Sequence, residues 1–326
     1  MKTMYFRIGL FMVAGTLLAV RAASAADIAY PQRPIHIVVP NGAGGSIDLV
    51  IRAVAQRVAP IVGQPIVIDN RDGASGTIGA ILVKNAAPDG YILLASSTST
   101  NTLVTHTLPH PAFDGVRDFL PIINIAYTTK MVAVNPSVPA KTLGQLIDYA
   151  RAHPGELNYS STGIGSSSQL DTEMFCDRAR IQLVHVPYRT AYQAAQALAT
   201  DDVQVSLGSI TASIGFVRSG QARALAVIAE QRSPLLPDVP TVAEAGLPNL
   251  EIRTWIGLSA PRGTPATVIE RLNTEINRVL ADPALRQLME QQGWEVIGGS
   301  SADFARTLAT DDAKWAAEIH KLGLGD

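Results

Sequence analysis

A single cysteine, Cys176, leaves no partner for an internal disulfide, so packing rather than cross-linking must hold this chain together. Cys176 sits in an apolar stretch and reads as a packed residue rather than a nucleophile. Six histidines are scattered without metal-ligand spacing, and no metal or cofactor is called for. Charged residues make up only 17% of the chain and aromatics 6%, with a formal net charge of −2. That balance excludes a nucleic-acid-binding or anionic-lipid-binding protein, which would need a basic face. No apolar run is long enough for a membrane span: the longest, Ile8–Val20, covers about thirteen residues where ~20 are needed.

What is present begins with an export signal. Lys2 and Arg7 precede the apolar run, Arg21 closes it, and Ala23-Ser24-Ala25 forms an A-x-A cleavage signal, which predicts a mature start near Ala26. No cysteine stands at the cleavage site to carry a lipid. Removing residues 1–25 takes away three basic residues and no acidic one, so the charge moves from −2 to −5. The expected compartment is the periplasm. The remaining chain of about three hundred residues suffices for two ordinary domains.

Strand-like and helix-like segments alternate almost throughout, which argues for an α/β protein built on parallel sheets with helices on both faces. The β-branched run Ile35–Val39 is followed by a helical pattern over 47–59, and Pro265–Leu280 places Val268, Ile269, Leu272, Ile276, Val279 and Leu280 on one helical face. Lys130–Val134 and Glu251–Ala260 stand where one α/β set gives way to the next. They are the expected crossings between two lobes: residues 26–129 with 255–326, and residues 130–254. Paired crossings make a hinge, and a hinge suggests a closing cleft. A monomer is expected.

The turn Gly42-Ala43-Gly44-Gly45-Ser46 joins the first strand to the first helix. A helix that opens at a glycine turn leaves unpaired N–H groups and a positive dipole end, a seat for an anion. Gly42-Ala43-Gly44, with Asp69 closing the next strand, also begins a dinucleotide fingerprint, but Ile47 occupies the third glycine position. Serine- and threonine-rich segments follow two more strands, at 96–101 and 160–168. There they either cap helices or supply hydroxyls to a ligand at the strand ends. No segment gives a G-x-S-x-G elbow, His185 lies within a strand-like run, and no carboxylates are paired for acid/base work, so an enzyme is not expected. Tyr188 can wall a cleft; Arg189 either pairs with a distal carboxylate or is a surface residue; Trp255 is either a pocket wall or a packed core side chain. The candidate ligand-binding set draws Asn41, Gly44, Gly45, Ser46 and Asp48 from the first loop and Ser97 and Ser99 from the third strand's end. Gly165, Ser166, Ser167, Tyr188, Arg189 and Ser209 come from the other half, with Trp255 from the returning segment.

Ordered matches extend these features into a family pattern: Tyr30-Pro31-Gln32-Arg33-Pro34-Ile35, Gly44-Gly45-Ser46-Ile47-Asp48 with Arg52, Gly63-Gln64-Pro65, Asn70-Arg71 with Gly73, and Pro88-Asp89-Gly90-Tyr91. Asn158-Tyr159, Gly163–Ser168, Val184-His185-Val186-Pro187-Tyr188, Leu236–Thr241 with Glu244 and Gly246, and Trp255 with Gly257 continue it. From Tyr30 to about residue 321 the chain resembles the periplasmic substrate-binding proteins of tripartite tricarboxylate transporters, the Bug receptors. The resemblance implies a two-lobed "Venus flytrap" of type II periplasmic-binding-protein architecture. It implies a receptor for a di- or tricarboxylate or an aromatic carboxylate, with a membrane permease as partner. The alternative functions are a ligand-sensing receptor that docks on a sensor kinase and an exported hydrolase. By the same resemblance Gly44, Gly45 and Ser46 grip a carboxylate from one side and Gly165, Ser166 and Ser167 from the other. The chain departs from the family at Asn41 and Ala43, where an aromatic and the proline of a Pro-Gly-Gly are usual, and at Gln169, where a histidine is. Ser75, Thr77, Arg189 and Thr190 are departures as well.

Overall fold

The computed structural model describes residues 30–108, 110–248, 250 and 252–323; the expected signal, residues 1–25, and the expected start at Ala26 lie outside the described residues. The chain runs β1 (Ile35–Val39), α1 (Ser46–Val62), β2 (Ile66–Asn70), α2 (Thr77–Lys84) and β3 (Ile92–Ser97), then a π-turn (Ser99–Leu103) continued as α3 (Val104–Thr107). It goes on through β4 (Phe119–Thr128), β5 (Lys130–Val134), α4 (Leu143–Ala152), β6 (Asn158–Ser161), α5 (Ser167–Ala179) and β7 (Val184–Pro187). After these come α6 (Ala191–Ala199), β8 (Val205–Ser209), α7 (Ile210–Arg218), β9 (Arg223–Ile228) and β10 (Thr254–Pro261). The last elements are α8 (Ala266–Leu280), α9 (Pro283–Glu290), β11 (Trp294–Val296) and α10 (Ser301–Leu322).

Two sheets result, in the orders β11-β4-β10-β3-β1-β2 and β7-β6-β8-β5-β9. Both are mixed rather than parallel. β10 runs antiparallel to β3 and β4, and β5 antiparallel to β8 and β9, because these strands return the chain instead of repeating a strand–helix crossover. Alternation of strands and helices does not reveal such returns.

Burial explains why the segments take these forms. Ile35, Ile37, Val38 and Val39 are all buried, as suits a strand covered on both faces. Ile35 and Ile37 meet Ile51 and Val54 of α1 and Leu272 and Ile276 of α8, while Val38 packs with Ala80 and Val83 of α2. Each fully buried Val, Leu or Ile contributes about 1.5–3 kcal/mol. α1 stops at Gly63, whose φ of 72° is the left-handed conformation that ends a helix. In the second sheet Val132 and Val134 face the core shared with α4 and α5, and Met131 and Ala133 face that of α6 and α7.

The chain passes from the first sheet to the second through one residue, Thr129. Its N–H donates to the Gly293 carbonyl, and its own carbonyl accepts from the Ile210 N–H. α10 belongs to both sides: Phe304 and Leu308 pack on Trp255 of β10, whereas Trp315 and Ile319 enter the core of the second sheet. Leu103 of the π-turn enters that core as well. The second sheet and the first are thus closely joined within Pro31–Asp326.

Gly257, in the middle of β10, is where Phe304 and the β4 backbone press closest. A Cβ there would lie 2.7 Å from the Ile123 carbonyl oxygen and closer still to the Phe304 ring. Gly257→Ala is expected to destabilise the fold by about 1–3 kcal/mol through overpacking, read as a lowered urea midpoint with unchanged slope.

Candidate functional site

The C-terminal ends of β1, β2, β3 and β4 lie at one edge of the first sheet, and those of β6, β7, β8 and β9 at one edge of the second. Thr129 joins the two edges. A Cβ at Gly165, in the loop after β6, would stand 3.2 Å from Thr107 Oγ1, so this loop lies against the end of α3.

The two loops that open α1 and α5 have the same backbone. Gly44 and Gly165 have φ of +80° and +72°, a conformation glycine adopts freely. The N-cap residues that follow, Gly45 and Ser166, are extended at φ −74° in both cases. The N–H of Gly45 donates to the Gly42 carbonyl at 3.4 Å and that of Ser166 to the Gly163 carbonyl at 3.2 Å. Each loop is then closed by the side chain four residues past its glycine. Gly44 N–H donates to Asp48 Oδ2 at 2.9 Å, and Gly165 N–H to Gln169 Oε1 at 2.7 Å.

This closure moves the open donors. The amides of Gly44, Gly45, Gly165 and Ser166 are engaged within the loops. Unpartnered among the described residues are the N–H groups of Ser46, Ile47 and Asp48 on α1, and of Ser167 and Ser168 on α5. The lobes differ in one respect. Ser166 Oγ caps its own helix by accepting from Gln169 N–H, whereas Gly45 has no side chain to do so and leaves α1 open.

Asp48 is buried. It accepts from Gly44 N–H, Arg52 Nε at 2.9 Å and Asn70 Nδ2 at 3.0 Å, and Asn70 also donates to the Asn41 carbonyl. Burial alone would raise its pKa; the Arg52 hydrogen bond, with those from Gly44 and Asn70, outweighs it and holds the carboxyl below its usual range. Asp48 is therefore the clamp of the first loop. Arg52 is spent on this clamp, so the seat carries no free formal cation from this pair.

Other expected site residues are placed as follows. Ser97 is buried, its hydroxyl hydrogen-bonded with Thr100 Oγ1 at 3.2 Å, and Ser99 is half-buried at the start of the π-turn. Trp255 is fully buried, donating from Nε1 to Asp311 Oδ2 at 2.6 Å with Phe304 edge-on to its ring. It anchors α10 and presents no face to a cleft. Tyr188 and Arg189 line an open groove of about 620 Å³ with Gln193 and Gln196 of α6, on the flank of the second lobe. Asn41 and Ser209 are half-buried, and Asn41 Oδ1 and Ser209 Oγ are buried atoms without a hydrogen-bond partner.

Reading the sequence missed Thr77 and Thr254, whose buried hydroxyls are also unpartnered. Thr77 follows Gly76, which abuts the Pro40 carbonyl and Thr100; Thr254 opens β10 opposite Thr128. Their position at the end of an element was the available signal. The loop after β6 is fastened from beneath: Ser161 Oγ lies 2.6 Å from His185 Nε2, and the His185 ring stacks on Tyr159, whose hydroxyl donates to Glu173. Burial lowers the His185 pKa, with Glu173 opposing. Ser161 is itself fully buried and held by Gly163 on both sides, so this serine–histidine contact is a fastening without access for an acyl substrate.

The chain matches, over residues 50–324, the profile of the family described as "Tripartite tricarboxylate transporter family receptor". It belongs to that family. It is 36% identical over 288 residues, covering 88% of this chain and 85% of the relative, to "UPF0065 protein in tcbD-tcbE intergenic region" of Pseudomonas sp. strain P51. Among solved structures it is similar to "R. palustris Rpa4515 with adipate", with a TM-score of 0.85 and 33% identity, covering 90% of this chain and 98% of the other. MatC from Rhodopseudomonas palustris with bound malate gives a TM-score of 0.81 and 30% identity, covering 89% and 100%. The mixed sheets are thus those of a two-lobed periplasmic-binding-protein fold, and the family is one of solute-binding receptors.

The Asp48 clamp sets a pH dependence. Its folded pKa lies below the ordinary 3.8, so its stabilisation is present above that value and lost as pH falls through the folded one. Asp48→Asn is expected to cost about 1–3 kcal/mol at pH 7 and to flatten the loss of stability on acidification, both read from urea denaturation across pH 2–7.

Proposed function

We propose that this chain is an exported periplasmic receptor that closes its two lobes over a small carboxylated compound and delivers it to the permease of a tripartite tricarboxylate transporter. One observation carries the reading. Unpartnered donors lie at the strand-end edges of both lobes: the first-turn amides of α1 and α5, and the hydroxyls of Thr77, Thr254 and Ser209. Buried polar groups left unpaired cost free energy, and an organic acid between the lobes satisfies them. Two helix N-termini add a dipolar attraction of about 0.3–1 kcal/mol each. With Arg52 engaged by Asp48, this attraction is moderate, as suits a carrier that must release its passenger.

The hinge lies at Thr129 and at the entry to β10, dividing residues 26–129 and 255–326 from residues 130–254. A carboxylate touching α1 and α5 together stabilises the closed form by its differential contacts, and a permease can read that form. The family relatives seen with adipate and with malate support a carboxylate as the ligand class. The receptor acts as a monomer without cofactor, since each chain supplies both halves of the seat.

Gly45→Asp is the decisive variant. The N-cap backbone at φ −74° accepts an L-residue, and the nearest atom to a Cβ there is the Gly42 carbonyl oxygen at 3.4 Å. An aspartate would cap α1 with its own carboxylate, occupying the seat. Stability is expected to hold or rise while affinity for the cognate acid falls at least about 100-fold in calorimetry; retained affinity would remove the first loop from the site. In a thermal-shift screen of small carboxylates, a true ligand at 100 times its dissociation constant should add ~2.7 kcal/mol.

A further inference from the structure

Lys130 and Asp171 form an ion pair buried at the cleft-facing end of the second sheet, 5% and 0% exposed. Lys130 heads β5, a strand otherwise wholly apolar, and Asp171 lies in the second turn of α5, the helix that carries the second loop. Ser209, the last residue of β8, is the direct cross-strand partner of Lys130, so both side chains stand on the same face, the one covered by α5. Three capacities for hydrogen bonding are unspent at this point. Lys130 gives one N–H to Asp171 Oδ2 and has no other acceptor among the described residues. Asp171 Oδ1 and Ser209 Oγ, both buried, have no partner. Lys314 of α10 faces both Asp171 and Asp311, so the surroundings are balanced in charge as well.

A donor and an acceptor held side by side, already neutral as a pair, complement a group that itself both accepts and donates. A second carboxylate is the wrong complement, because it would meet the free oxygen of Asp171. Resting on the reading that the cleft binds a carboxylate, we propose that Lys130, Asp171 and Ser209 form its specificity end. They select an acid whose other end is a neutral hydrogen-bonding group, a hydroxyl or a carboxamide. The carboxylate sits at the helix starts of α1 and α5, and the far group accepts from Lys130 and donates to Asp171 Oδ1. A buried site built to pair such a group discriminates strongly against an analogue without it, since its own polar atoms are then left unpaired.

The test is a calorimetric comparison of four end groups at matched chain length, from four to six carbons: ω-carboxamide, ω-hydroxy, ω-methyl and ω-carboxylate acids. The carboxamide or the hydroxy acid is expected to bind about tenfold more tightly than both the methyl acid and the dicarboxylate, and the better of the two identifies the far group. Asp171→Asn leaves the Lys130 charge uncompensated and should reverse the order, the dicarboxylate now binding more tightly than the carboxamide. A purely structural aspartate would weaken all four alike. Because an unpaired buried lysine can unfold the protein, Ser209→Ala is measured beside it. Removing an unpartnered hydroxyl spares the fold and should reduce the carboxamide or hydroxyl preference several-fold while leaving the methyl acid unchanged. Dicarboxylates that bind the wild type as tightly as the carboxamides, or an order unchanged by both substitutions, would overturn the proposal and leave the receptor reading standing. If no acid of the series or of a wider carboxylate screen binds at all, the receptor reading itself fails.

Discussion

Each lobe opens a helix at its strand ends with a bend that folds back on itself, and the rest of the site depends on that bend. A glycine at positive φ aims its N–H at a side chain four residues later, Asp48 in one lobe and Gln169 in the other. The bend is thereby rigid without any ligand, and the helix amides just beyond it are held pointing outward. A helix start that flexed would have to be ordered at the moment of binding, and the entropy of ordering would be subtracted from affinity. Fixing the loop by its own side chain removes that cost. Arg52 and Asn70 neutralise and saturate the buried Asp48 carboxylate, so its charge is compensated beside the open amides of α1.

The lobes are not independent bodies joined by a tether. α10 is one continuous helix with its first half on Trp255 and its second half in the core of the other lobe. Asp311 takes the indole N–H of Trp255, Asp312 lies 2.7 Å from His106, and Glu318 and Arg178 pair at the far end. Any rotation about Thr129 must therefore be accommodated where α10 meets α5, the helix that carries the second bend.

Much of this was legible in the sequence. The β-branched run Ile35–Val39, the helical face of Val268 to Leu280 and the strand Lys130–Val134 follow from local pattern, and the structure has them within a residue or two. The two-lobed receptor fold followed from the family resemblance. The bends were found because glycine and serine at strand ends have few other uses. What pattern could not supply was direction and partner. β10 and β5 run against their neighbours, and nothing in the composition of an apolar strand states its sense. β11 is only three residues at a sheet edge and has too little periodicity to register. Ser97 and Trp255, read as site residues, are buried and engaged, the one by Thr100 in the next turn and the other by Asp311 far along the chain.

The sequence by itself determined where helices and strands form, that the chain lacks the charge for nucleic acid, and which bends would have unpaired amides. These depend on local dihedral preference, on periodicity and on summed charge, all of which are written along the chain. Only the tertiary structure decided which amides remain open after Asp48 and Gln169 have taken theirs. It alone brought Lys130, Asp171 and Ser209 to one point. Hydrogen bonds are satisfied by proximity, and proximity between residues forty positions apart is fixed by how sheets and helices pack.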